Sequence, residues 1–145
     1  MAESGPDVKS ADQLKDLKIG TQAGSAALGL LEKNEAYDSF KDNITEYDKY
    51  DTAIMDLKAG RVDVIAVDQV LGEYANNNLG GEMKECTYSL GDDFYTIGCA
   101  SDNTELRDKI NDAIKTLIDD GKAAEISEKW FGRDIVVFEP VEGEE

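Results

Sequence analysis

Residues 62–67, Val-Asp-Val-Ile-Ala-Val, constrain the fold of this chain more than any other segment. The run is nearly all apolar and mostly β-branched, as a strand buried on both faces of a parallel sheet requires. On either side the period becomes helical. Residues 49–59 put Ala53, Ile54 and Leu57 on one helical face, and Gly60 is placed to end that helix. A further helix is expected at about 69–76, running out into Asn76-Asn77-Asn78 and Gly80-Gly81. Upstream the same grammar appears: Leu17 and Ile19 read as a strand reaching Gln22, Ala23-Gly24 as a turn, and Ser25 as the cap of a helix carrying Leu28, Leu30 and Leu31. Tyr37 and Phe40 suit another short helical piece, and residues 44–47 a short strand. Strands alternating with helices of this length predict an α/β fold, a mostly parallel sheet with helices on both faces.

The ends of the chain read differently. Residues 1–9 lack periodicity and are expected to be a solvated lead-in, with Ser10 and Gln13 at capping-box spacing opening a short helix. Residues 83–89 and 94–100 are strand-like runs flanking Leu90-Gly91-Asp92-Asp93, which predicts a hairpin or a reversal at the sheet edge. From a cap at Asp102 or Asn103, the positions Leu106, Ile110, Ala113, Ile114 and Leu117 recur at helical spacing, and after Gly121 a second helix carries Ala123, Ile126 and Trp130. Trp130 and Phe131 are expected to be core anchors. Residues 134–138 read as an edge strand and 139–145 as an acidic tail. The expected organisation is therefore a lead-in at 1–9, an α/β lobe at 10–101, a helical pair at 102–134 packing on a sheet, and an edge strand with tail at 135–145.

Composition narrows the chemistry. The chain has 145 residues, the size of one ordinary domain, and 41% hydrophobic content, enough to bury a core. Its net charge of −17 disfavours phosphate backbones and anionic lipid, so neither nucleic acid nor membrane surface is an expected partner. Histidine is absent, which removes the usual general base near neutral pH and the common zinc ligand. No apolar stretch approaches the roughly 20 residues of a membrane span, and no basic-then-apolar leader opens the chain. Cys86 and Cys99 are too few for a disulfide scaffold or a thiolate metal site. In a tight hairpin they can face each other and oxidise; alternatively they are two buried small thiols. No cofactor, metal site or catalytic residue is expected, since nothing pairs a poised base with an electrophilic partner.

In an open parallel sheet, ligands bind beyond the carboxyl ends of the strands. Two segments bring unusual residues to that edge. Gln22-Ala23-Gly24-Ser25-Ala26 is a strand-to-helix turn whose small residues expose backbone N–H groups at a helix start, suited to a carboxylate; the plainer reading is a capped helix. Asp68 follows the apolar run at the mouth of an expected central strand and suits a ligand ammonium; equally, it suits a helix cap. Together they suit a zwitterion such as an α-amino acid. Tyr47, Tyr50 and Tyr74 lie near this edge in sequence, and any of them can stack on a ligand.

Three segments, GTQAGSAALGLLEKN, YDTAIMDLKAGRVDVIAVDQVLGEY and TELRDKINDAIKTLIDDGKAAEISEKWFG, resemble the family 3 extracellular solute-binding proteins, the polar amino-acid receptors of ABC importers. The resemblance runs from about Ser10 to Asp134. It implies one lobe of a type II periplasmic-binding-protein fold, a flavodoxin-like three-layer arrangement, comprising the second lobe and the two carboxyl-terminal helices. It also implies an amino-acid ligand, an ABC permease as partner and an extracellular or periplasmic location. By the same resemblance Gly24, Ser25 and Ala26 match the loop that binds the ligand carboxylate, and Asp68 the aspartate that binds its ammonium. Ala26 departs from the hydroxyl residue of many relatives. The family's first lobe, which supplies an arginine for the carboxylate and aromatic walls, has no counterpart in the resemblance. Its absence leaves the stripes of the helices around 103–130 to be covered either by the chain's own sheet or by exchange within a domain-swapped homodimer.

Overall fold

The computed structural model describes residues 1–5, 7–78, 80–92 and 94–138, and the chain divides into two compact units, Met1–Phe94 and Tyr95–Glu145. The first unit is built on three parallel strands, β1 (Ile19–Gln22), β2 (Ile44–Tyr47) and β3 (Val64–Ile65), in the order β2-β1-β3. Ile19 pairs with Ile44 on one side and Val64 on the other, so β1, not β3, is the central strand. Helices α1 (Ala26–Glu32) and α2 (Tyr37–Phe40) join β1 to β2, α3 (Tyr50–Lys58) joins β2 to β3, and α4 (Gln69–Asn78) follows β3.

The strand period of two sorts the core into two layers. Ile19, Ile44 and Val64 face a cluster with Leu14, Ala27, Leu31 and Phe40, whereas Tyr47 and Ile65 face Ile54, Leu57, Val62 and Met83. Helices therefore cover both faces, as the alternating sequence pattern predicts. Gly20 lies on the second face, where a Cβ would come within 3.2 Å of the Tyr47 ring and 3.4 Å of Ile65 Cγ2, so a side chain there would force these neighbours to give by a few tenths of an ångström. Phe40 and Leu31, each 1% exposed, anchor the first layer.

Several expectations are corrected. The lead-in is not solvated: Met1 and Val8 are buried, and Ala2 forms an isolated antiparallel bridge with Met83. Backbone bonds from Lys84 N to Met1 O (3.0 Å) and from Tyr88 N to Val8 O (2.8 Å) occupy the edge that a hairpin would have used. The described residues of 83–100 accordingly form no hairpin. Ser10 makes no side-chain cap; Gln13 Oε1 instead accepts from Lys9 N at 2.6 Å, and residues Ala11–Asp16 are a 3₁₀ helix. Cys86 and Cys99 are free thiols, each half-buried.

The second unit holds α5 (Thr104–Asp119) and α6 (Lys122–Phe131), which pack on each other across Gly121, a glycine at φ +71°. Asn103 caps α5, accepting from Leu106 N at 3.2 Å. Ser127 Oγ donates to Arg133 O and accepts from Ile135 N, both at 2.9 Å, which ties the exit of α6 back to the helix, and residues 134–138 form no strand. Trp130 is 68% exposed and Phe131 40%, so neither is a core anchor. The unit boundary at 94/95 precedes the expected one at 101/102. Asp93 and the acidic tail 139–145 lie outside the described residues.

Candidate ligand site at the carboxyl edge of the sheet

Because β1 and β3 are adjacent and parallel, the loops leaving them open on the same edge. Gln22 N-terminal to the first loop and Asp68 in the second are thus brought to one rim. In the first loop Ser25 N donates to Gln22 O at 3.2 Å, and Gly24 has φ +67°, as the third position of a type II turn demands. A Cβ at Gly24 would meet nothing within 4 Å, so backbone conformation alone calls for glycine there.

Ser25 caps α1, its Oγ accepting from Leu28 N at 3.2 Å. Helix geometry leaves the Ala26 and Ala27 amides without intrahelical acceptors. Gly24 and Ala26 are exposed and Ser25 half-buried, so this turn is open to a small anion. Gln22 is differently employed: its Nε2 donates to Asp48 O at 2.9 Å, tying the end of β1 to the loop after β2.

Asp68 is half-buried, and its Oδ1 accepts from Leu71 N at 3.0 Å, capping α4. One carboxylate oxygen caps the helix, and the acceptor capacity of a carboxylate exceeds that one bond. The capping and ligand readings of Ser25 and of Asp68 are therefore compatible. Tyr47 is turned away from the rim: its hydroxyl donates to Asp56 Oδ2 at 2.8 Å beneath the sheet. Burial, then the Asp56 carboxylate, raise the Tyr47 phenol above its ordinary pKa. Tyr50 opens α3 half-buried on the carboxyl edge, and Tyr74 on α4 is 66% exposed.

One residue escaped the sequence reading. Thr21, fully buried, donates from Oγ1 to Ala66 O at 2.9 Å and lies 3.4 Å from Ser25 Oγ. It bridges the ends of β1 and β3 beneath the two candidate ligand loops. The available signal was its parity: Thr21 shares the inward face of Ile19, where an apolar residue is the norm. Among the described residues no cluster of acidic, cysteine or histidine side chains is placed to hold a metal ion.

Residues 35–133 match the family model of bacterial extracellular solute-binding proteins, family 3. The chain belongs to that family. Asp68 lies within the matched span, and Gln22 through Ala26 precede it. The L-cystine-binding protein TcyJ of Escherichia coli (strain K12) is 31% identical over 133 residues, covering 88% of this chain and 47% of the relative. The arginine-binding periplasmic protein of Mannheimia haemolytica is 33% identical over 131 residues, covering 86% of this chain and 52% of the relative. This family 3 chain thus spans about half the length of the curated relatives it matches. Among solved structures, an ancestral arginine-binding protein bound to glutamine superposes with a TM-score of 0.72 at 30% identity, over 91% of this chain and 57% of that one. An ABC uptake transporter substrate-binding protein from Streptococcus pneumoniae with bound histidine gives a TM-score of 0.76 at 29% identity, over 90% and 55%. The fold is the α/β, parallel-sheet lobe of type II periplasmic binding proteins.

Proposed function

We propose that this chain binds a small α-amino acid at the carboxyl edge of its sheet, as part of an extracellular or periplasmic receptor that serves an ABC permease. The ligand carboxylate meets the first-turn amides of α1 beside Ser25, and its ammonium meets the Asp68 carboxylate. The observation that carries this reading is that the Ser25 turn and Asp68 leave neighbouring parallel strands on one rim, a donor-rich group opposite a negative one. The chain acts by binding, with no chemistry of its own. Relatives named for arginine and for cystine support an amino acid as the ligand class. Calorimetric titration with the protein amino acids and L-cystine tests it, with N-acetylated and amidated forms of any ligand found as controls. Binding to the free amino acid and loss with either blocked form is expected; a ligand that keeps its affinity when both ends are blocked contradicts the zwitterion assignment.

A second reading is favoured by one observation. None of the residues of α5 is buried, and Leu106, Leu117, Ile126 and Trp130 are 46%, 42%, 48% and 68% exposed. Unpartnered apolar stripes of this kind call for a covering surface. In this reading a second copy supplies it, giving a domain-swapped homodimer with little ligand affinity. Light scattering over a broad concentration range decides: a dimer mass supports the exchange, and a single-chain mass throughout removes it.

A further inference from the structure

The proton inventory at the base of the candidate site has one consistent direction. Thr21 has a single hydroxyl proton, and the 2.9 Å contact to Ala66 O consumes it, since a carbonyl can only accept. The contact between Thr21 Oγ1 and Ser25 Oγ is long, at 3.4 Å, and the serine proton is the one left to bridge it. Ser25 Oγ in turn accepts from Leu28 N at 3.2 Å. The bonds form a relay: Leu28 N–H to Ser25, Ser25 to Thr21, Thr21 to Ala66 O, two residues before Asp68.

We infer that Thr21 is a positioning residue for the ligand site, fixing the Ser25 hydroxyl and clamping the carboxylate-side turn to the strand end that carries Asp68. Thr21 touches no ligand, being fully buried beneath both loops. The proposal rests on the amino-acid-binding reading for its functional consequence, while the relay itself is a property of the free protein.

The test uses Thr21→Val, close in shape but without the hydroxyl, and Thr21→Ser, which restores it. Hydrogen exchange of the full chain is followed at the Leu28 amide relative to α3 amides, which report global stability. Thr21→Val is expected to speed Leu28 exchange about fivefold beyond that reference, the effect of losing one ordinary hydrogen bond, and Thr21→Ser to restore it. Binding is then titrated with L-arginine, L-cystine and L-glutamate. Thr21→Val should weaken binding about fivefold, and the Thr21→Val, Ser25→Ala double variant should bind no worse than Ser25→Ala alone. Uniform acceleration of all amides, no recovery with serine, or additive losses in the double variant would overturn the inference. A parent chain that binds none of the probes while Leu28 still responds sinks the receptor reading instead.

Discussion

Asp68 caps α4, and substitution can separate that role from the ammonium binding proposed for it. As the cap of α4 it accepts from Leu71 N, and an alanine there removes that acceptor. Loss of such a cap costs about 1 kcal/mol, whereas asparagine, an equally good cap, costs close to nothing. As the proposed ammonium partner it would contribute a charge-assisted hydrogen bond, worth about 1.5–3 kcal/mol, or roughly 10- to 150-fold in affinity. Asp68→Asn keeps the cap and removes the charge. The expected pattern is therefore a denaturation midpoint unchanged in Asp68→Asn and lowered in Asp68→Ala, with amino-acid binding weakened at least about 10-fold in both. Urea unfolding and calorimetry on the same samples read the two axes independently. If Asp68→Asn binds as tightly as the parent, the carboxylate is a cap and nothing more, and the ammonium assignment is wrong.

Two further outcomes test the scaffold. Phe40→Ala, at a side chain 1% exposed and stacked edge-to-face on Tyr37, should cost about 3–5 kcal/mol in urea unfolding; a loss below about 1 kcal/mol would mean that this layer is not the core. Asp56 accepts from Arg61 Nε at 2.9 Å and from the Tyr47 hydroxyl, and these bonds hold its carboxyl below the ordinary carboxylate pKa. A depressed folded pKa gives stability that is present above the unfolded value and is lost as pH falls through the folded one. The acid limb of the parent's stability profile should thus be steeper than that of Asp56→Asn, and coincident limbs would contradict the pairing.

The α/β grammar was legible because each helix and strand of the first unit carries its own period. Ala53, Ile54 and Leu57 mark α3 as surely in the sequence as in the core. The errors arose where a segment's partner lies far along the chain. Residues 1–8 have no periodicity to read, yet Asp7 accepts from Thr87 N at 2.9 Å and from Thr87 Oγ1 at 2.7 Å, and Val8 is buried beside them. Those contacts span some eighty residues, and no local pattern encodes them. The hairpin expectation failed for the same reason, because the strand-like residues 83–88 bond to the lead-in instead of to one another. The β3 run was placed correctly but shortened and put at the sheet's side, since strand order depends on crossovers that composition does not specify. At the candidate site, the turn and the carboxylate are visible as residue types. The Thr21 hydrogen bond to Ala66 is not, because it depends on the neighbour across the sheet.

A direct test of the cradle is to follow backbone amide shifts of isotope-labelled protein during titration with L-arginine, L-cystine and L-glutamate. The account predicts saturable shifts centred on Gly24, Ser25, Ala26 and Ala27 and on Asp68 and Gln69, with the far ends of α1 and α4 unmoved. Saturable shifts centred elsewhere, or none with any of the three, would contradict it.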